Sequence, residues 1–415
     1  MKDPMTTTRT TALVAAEPDL APLLERLLRL AESGLPEMFR TGPENFVFTR
    51  AAAAPPAADG TVRLEQRGES LRYAAITVLG ARLLPEDRQR PLFGGRTAAE
   101  YAGVLVERLP GVGNLGDAAL VAWAAADTRH PKLDDALARL AALDDLEDGA
   151  RQPRFTVEAA WVLSALAAAR GLSDATGVER RLWTARDRLL RARIGGSPIF
   201  PHATGPGLLP WYRAHVGCFA DQTYPLQALA RAHASGERSG SGGDPEALSA
   251  ADACAARICD LQGEGGQWWW HYDARRGTLV EGYPVYSVHQ HAMAPTALHD
   301  LAEAGGADHG AEIGLGLRWM TEVPELHAAG SGVTPEPLIQ DELGVTWRKV
   351  FRGDPRKAVR AARGVGSRLV PGLRIEPLER LFPPVAVDRE CRPYEFGWML
   401  HAWLGSLDNA AGEDI

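Results

Sequence analysis

The chain has 415 residues, 45% of them hydrophobic, a formal charge of -8 and only four cysteines. The acidity argues against nucleic acid as the main partner, because phosphate binding needs a basic footprint. Cys218, Cys254, Cys259 and Cys391 are spaced too irregularly for a disulfide framework or a zinc CxxC pattern, which fits a reducing cytoplasm.

The N-terminal stretch, Met1 to Pro18, lacks the apolar core of a signal peptide, and no later run reaches the roughly 18 apolar residues of a membrane span. The expectation is therefore a soluble, cytoplasmic protein built as one large domain over residues 1–415. Apolar residues recur with helical period in pairs of segments separated by Gly, Pro or Asp turns, and alternating strand patterns are short and scarce. A lone helix is expected from Leu20 to Leu30, followed by an Ala/Pro-rich loop from Ala51 to Gly60. A first hairpin joins Glu69–Ile76 to Thr97–Val106, a second joins Asn114–Val121 to Leu133–Leu137, and a third joins Phe155–Trp161 to Arg180–Trp183. A solvated turn is expected at Asp144 to Asp148. The fourth hairpin starts at Asp221 and returns through Ala247 to Gln262 after a flexible Gly/Ser loop at 235–243. The fifth starts near Pro295 and returns through Ala311–Leu317. A basic, lid-like segment at 347–374 precedes the last helix, Tyr394 to Leu404, which would pair with the first if a ring closes. This pattern predicts an all-α fold, an (α/α)6 toroid. The first helix of each pair, rich in Ala, Leu and Trp on every side, should form the inner ring.

The expected inner helices begin with polar residues that a purely apolar core does not need: Asn114 and Asp117, Thr156 and Glu158, Asp221 with Gln222 and Tyr224, His289 with Gln290 and His291, and Tyr394 with Glu395. Prolines at 153, 225, 295 and 393 stand near four of these starts, where the first helical turn tolerates them. If the helices run parallel in the ring, their N-terminal dipole ends converge on one rim and favour an anionic or hydroxyl-rich small molecule. Asp117 and Thr156 read either as caps or as site groups. Glu158, between Phe155 and Trp161, reads as a general acid with a raised pKa or as half of a salt bridge. Asp-Gln-x-Tyr from Asp221 offers three side chains to sugar hydroxyls. His289 and His291, two residues apart, face the same way only if the chain there is extended. They read as proton-transfer or hydroxyl-binding groups, or as structural histidines, and no third ligand at suitable spacing supports a zinc pair. No metal or cofactor is expected. Among Trp268, Trp269 and Trp270, one should plug the core while another, with His271 and Tyr272, forms an aromatic platform. The basic segment reads as a solvated helix or as a lid that attracts a carboxylate or phosphate.

The Gln262-x3-Gly266-x-Trp268 element resembles the repeat of the prenyltransferase and squalene-oxidase families, whose terpenoid cyclases are α/α barrels. The DxDD acid motif of class II cyclases is absent here, as is a clear class I metal motif, and the zinc elements of LanC-type cyclases are not matched by Cys218 or Cys391. Gly265-Gly-Gln-Trp-Trp-Trp-His271-Tyr-Asp273, followed by Gly282-Tyr-Pro-Val-Tyr286, is similar to segments of six-hairpin glycosidases such as the unsaturated glucuronyl hydrolases. That resemblance implies carbohydrate chemistry with an Asp or Glu acid/base, and it carries over most directly to Trp268 and His271. The leading expectation is an enzyme acting on a sugar or glycoconjugate by hydrolysis, elimination or epimerisation. Asp221 or Glu158 would serve as acid/base, assisted by His289 or His291. Trp268, Trp270, His271, Tyr272, Tyr286, Gln222, Tyr224, Gln290, Tyr394, Glu395 and Asp117 would position the substrate. The alternatives are a terpenoid cyclase lacking the usual acid motif and a non-catalytic toroid.

Overall fold

In the computed structural model the described residues are 8–53, 61–145, 152–173, 175–327, 336–370, 372–373 and 375–407. Glu147 and Asp148 of the acidic run, Arg374 of the basic segment and residues 54–60 of the Ala/Pro loop lie outside them.

Helices α1 (Arg9–Ala16) and α2 (Ala21–Gly34) are followed by α3 (Leu71–Ala81), α4 (Ala98–Arg108), α5 (Leu115–Asp127), α6 (Leu133–Leu143) and α7 (Thr156–Ala169). Then come α8 (Val178–Ala192), α9 (Ala220–Arg238), α10 (Pro245–Asp260), α11 (Ala294–Glu303), α12 (Gly310–Glu322), α13 (Ala358–Leu369) and α14 (Pro393–Leu404). Inner helices α3, α5, α7, α9, α11 and α14 pack side by side in a closed ring, and α2, α4, α6, α8, α10 and α12 pack outside it. Amino-acid pattern explains the division. Residues 118–126 of α5 are all buried, as a helix enclosed on both faces requires. Outer helix α8 buries only a stripe, Val178, Leu182, Ala185, Arg188 and Leu189 among it, and turns most of its other charges outward. Starts are fixed by caps: Ser70 accepts from Tyr73 N–H, Thr97 and Glu100 form a reciprocal box, and Asp244 accepts from Ala247 N–H ahead of Pro245.

The ring closes where α3 meets α14, backbone against backbone. A Cβ added to Gly80 would stand 2.0 Å from the Gly397 carbonyl oxygen, and one added to Gly397 would stand 2.7 Å from the Ile76 oxygen. Towards the C-terminal ends of the inner helices, buried charges fill the ring. Arg82 pairs with Asp127 at 2.9 Å, Arg231 with Asp300 at 3.5 Å, and Arg9 of α1 with Asp300 and, at 2.7 Å, Glu303. Burial pushes the Asp300 carboxyl up, but Arg9 and Arg231 outweigh it and hold the pKa at about 2. Every acid here has a cation, as an uncompensated buried charge would cost several kcal/mol.

The Gln262–Trp268 element proves to be a structural turn. Gln262 donates to the Gly266 carbonyl (3.1 Å) and to the Glu312 carbonyl of α12 (3.0 Å). Gly266 has φ +88°, and a Cβ there would meet the Leu315 carbonyl oxygen at 2.1 Å. Trp268 then drops into the core against Gly316 and is fully buried.

Several local expectations are corrected. Pro225 lies inside α9 rather than in its first turn, because the helix begins earlier, at Ala220. Ala51 and Ala52 belong to a strand, Thr49–Ala52, that pairs with Leu64–Arg67. Helix α9 extends through Ser235 to Arg238, so the Gly/Ser loop is shorter than expected. Asp144 is not solvated, for Arg188 grips both its oxygens at 3.0 and 3.1 Å. The basic segment folds as a strand, Lys349–Phe351, and helix α13. His289–Met293 form a π-helical turn, not an extended stretch, so His289 and His291 face different ways.

Gly397→Ala should lower stability by roughly 1–3 kcal/mol through overpacking at the seam. Urea unfolding would check this against Gly111→Ala, where a Cβ meets nothing within 4 Å and little change is expected.

Candidate functional site

The opposite, N-terminal ends of the inner helices surround a cavity of about 170 Å3. Its wall is formed by Arg72, Tyr73 and Ile76 of α3, Val157 and Trp161 of α7, Ala220 and Tyr224 of α9, Tyr394 of α14, and Trp270, Tyr286, His289, Met293 and Arg348. Each side chain is placed by its neighbours. Trp161 fits because Gly116 faces it, where a Cβ would lie 3.0 Å from the indole. Tyr224 accepts a bond from Trp398 Nε1 at 3.0 Å. Tyr286 lies 4.7 Å from Trp270, and Trp270 stacks on His289 at an 8° interplanar angle.

Two guanidinium groups give this aromatic box its charge. Arg72 lies 4.9 Å over Trp161 and bonds Asp117 Oδ1 (2.8 Å) and Asn114 Oδ1 (2.9 Å). Asn114, the cap of α5, donates in turn to Glu158 Oε1 at 3.1 Å. The half-buried Glu158 therefore stands at the rim, one turn before Trp161. Arg348 lies 4.8 Å over Tyr286, bonds Glu390 at 3.0 Å, and comes within 3.3 Å of Glu395 Oε1. That last approach is close but misaligned, since neither Glu395 oxygen has a hydrogen-bond partner. Burial outweighs the attraction of Arg348 and Arg392, raising the Glu395 pKa to about 7.

The cavity adjoins a second cleft at Tyr286, of about 290 Å3, lined by Lys349, Phe351, Arg352, Arg356, Lys357 and Arg360 among others. A third, of about 380 Å3, shares Arg356, Lys357 and Arg360 with it and adds Tyr212, Arg213, Val216 and His271. Arg213, Arg356, Lys357 and Arg360 have no ion pair among the described residues, and Asp354 and Glu281 are the only acids lining either cleft. The basic segment thus walls the approach to the cavity.

Beside the rim, His202 Nδ1 lies 2.8 Å from Asp221 Oδ2, which also accepts the Cys218 N–H at 2.7 Å. The Asp221 carboxylate draws the His202 pKa upwards. Asp221 itself is fully buried.

The structure separates the expected site residues into groups. Tyr224, Trp270, Tyr286, His289 and Tyr394 line the cavity; Asp117 stands beside it, bonded to Arg72, and Glu158 next to that pair, bonded to Asn114; His271 lines the third cleft. Trp268 and Tyr272 are fully buried core, and Glu395 is sealed behind Tyr394. Gln222 is a clamp, bonding the Phe200 N–H (2.8 Å) and the carbonyls of Phe200 and Cys218 (3.0 Å each). Gln290, with its amide turned to satisfy both ends, bonds the Gly266 carbonyl (2.9 Å) and the Trp268 N–H (3.3 Å). His291 is buried away from the cavity and keeps a pKa of about 3 through burial, as does His289. Thr156 bonds the Pro201 carbonyl. Sequence reasoning missed Arg72, Tyr73, Met293 and His202 and treated Trp161 only as a flank of Glu158. One signal was present: Arg72 and Arg392 stand at helix starts, where the dipole disfavours a cation.

No family model and no curated protein matches the chain. Solved structures match over almost its whole length. An unsaturated glucuronyl hydrolase specific for heparin is 12% identical at a TM-score of 0.53, covering 93% of this chain and 97% of its own. The unsaturated glucuronyl hydrolase of Streptococcus agalactiae is 10% identical at 0.53, covering 92% and 90%. A possible member of the GH105 family from Klebsiella pneumoniae is 12% identical at 0.53, covering 93% of each. At such identities the likeness shows the fold, the six-hairpin toroid. Among the described residues no helix is long and apolar enough to cross a membrane.

Glu395 makes stability depend on pH. Its carboxyl holds a proton to about pH 7 when folded, whereas an unfolded glutamate releases it near pH 4.3. The folded state therefore binds more protons between these values, and stability falls as pH rises through that window. Glu395→Gln should remove this loss, worth about 4 kcal/mol at most above pH 7. Urea midpoints at pH 5, 6, 7 and 8 should converge with wild type at the acid end and exceed it at the alkaline end.

Proposed function

We propose that this protein is a carbohydrate-active enzyme that binds an acidic sugar and works on it by general acid/base catalysis. The observation that carries this reading is the union, in one cavity, of stacking aromatics (Trp161, Trp270, Tyr286) with two guanidinium groups (Arg72, Arg348), beside a rim carboxylate. The fold shared with unsaturated glucuronyl hydrolases supports it. The apolar face of a pyranose stacks on indole and phenol rings, while arginine holds a carboxylate in bidentate fashion. About 170 Å3 is below the roughly 300–1,000 Å3 of a pocket enclosing a drug-sized ligand, so the cavity would take one ring, leaving the rest of the substrate in the adjoining basic clefts.

Glu158 is the group we assign to proton transfer. In hydrolysis it would protonate the glycosidic oxygen as the bond to the anomeric carbon breaks. In elimination or epimerisation it would take the proton next to the sugar carboxylate, whose charge Arg72 and Arg348 offset. Asp221 lies too deep to touch substrate, and in the sugar reaction its part is to hold His202. His289 stays neutral at physiological pH, so it serves as a hydrogen-bonding and stacking group.

The aromatic wall also suits a carbocation, and that observation favours the terpenoid cyclase as the second reading. Ligand-induced thermal shifts with uronate-ended oligosaccharides, neutral oligosaccharides and prenyl diphosphates separate the two. Stabilisation by the uronates is expected, and stabilisation by prenyl diphosphates alone would overturn the assignment. Glu158→Gln should retain uronate binding and lose at least ~100-fold in kcat. Uronate binding with no turnover in wild type would leave a binding protein. Arg360→Ala should weaken the uronate ligand by about 10-fold at low salt and much less at high salt, with little effect on neutral sugars.

A further inference from the structure

His202 comes from one loop, and Cys218 and Asp221 stand three residues apart at a strand end and the following helix start; one ligand atom of each lies within 4.8 Å of the other two. We infer that these residues form a binding site for one divalent transition metal ion, of which zinc is the natural occupant, at the rim of the toroid.

Four observations support the site. First, the donor set is an imidazole, a thiol and a carboxylate, a mixture that selects zinc-like ions over magnesium or calcium, which take oxygen ligands alone. Second, Asp221 is fully buried, and its Oδ1 has no hydrogen-bond partner among the described residues while Oδ2 has two. An orphaned buried carboxylate oxygen is costly, and a cation at that point removes the cost. Third, the ligands are held in place from behind. Gln222 ties Phe200, two residues before His202, to Cys218, and the His202 N–H donates to Val216 at 3.2 Å. A Cβ on Gly217 would lie 2.0 Å from the Phe200 carbonyl oxygen, so the two segments are pressed together. Fourth, the charges balance: thiolate and carboxylate together cancel a divalent cation.

Ligand atoms around one tetrahedral ion stand roughly 3.3–3.9 Å apart, so the widest separation need close by only about 1 Å, while the 2.8 Å contact of His202 with Asp221 opens as the ion enters. Binding would expel the Cys218 thiol proton and the proton shared by His202 and Asp221 into solvent, leaving the metal in their place. His202 is the most exposed ligand, its side chain 34% accessible against 0% for Asp221. The ion would therefore exchange from the rim, with water as its fourth ligand.

The inference goes beyond the sugar reaction and is tested without turnover. Purified protein would be titrated with Co2+, following the thiolate-to-cobalt charge-transfer absorbance, and zinc retained after gel filtration would be counted by elemental analysis. One metal per chain is expected, with the band abolished in Cys218→Ser and Asp221→Ala. His202→Ala, at the accessible edge, should fold regardless and bind Co2+ at least ~10-fold more weakly. A second cluster, Cys259, His309 and Glu312, lies between α10 and α12, so Cys259→Ala is the control and should leave the band unchanged. A wild type that shows no thiolate band, a band surviving in Cys218→Ser, or affinity unchanged in His202→Ala would overturn the proposal. So would a band lost only in Cys259→Ala.

Discussion

Everything at the mouth depends on the approach of α3 to α14 at Gly80 and Gly397. An inner ring of six helices closes only if its first and last members meet, and here they meet at backbone contact distance. The seam continues to the cavity. Tyr73 and Tyr394 lie 4.7 Å apart, and Arg392 donates to the Tyr73 hydroxyl at 3.0 Å. Side chains at larger seam residues would push the helices apart and separate Arg72 and Tyr73 from the wall they share with Tyr394. A stability contact far from the chemistry thus sets the cavity's width.

The two ends of the ring treat charge in opposite ways. At the far end, Arg9, Arg82 and Arg231 are matched by Asp127, Asp300 and Glu303, and Asp127 and Asp300 stay ionised despite burial. At the mouth, six helix N-termini and the arginines add positive potential, and several cations face the clefts without a carboxylate. Glu395, fully buried, tends instead to keep its proton. Matched charge stiffens and seals; unmatched charge is available to a ligand.

The Trp-rich segment shows how one run of sequence divides its labour. Gly266 permits the left-handed turn, Trp268 fills the core beside Gly316, and Trp270, two residues on, faces the cavity. Trp269 packs against Tyr283 at 5.8 Å. Alternation along an extended chain explains why neighbouring tryptophans cannot share a role.

The hairpin pattern, the inner and outer helices and the end of the ring that carries the polar starts were all legible in sequence, because burial on one face or both leaves a periodic record. The individual fates of polar residues were not. Asp117 and Glu158 reach the rim, whereas Gln222, Gln290 and His291 turn inward to bond or pack against backbone. Pro225 and the π-helical turn at His289–Met293 shift which residues face the cavity, and such register depends on packing against other hairpins. The His202–Cys218–Asp221 cluster joins Cys218 and Asp221, three residues apart at a strand end and a helix start, to His202 on a preceding loop, whose place beside them no spacing rule gives. Sequence alone determined the toroid, since local periodicity carries it; only the tertiary structure decided the cavity and the side chains that line it, since these are contacts between residues distant along the chain.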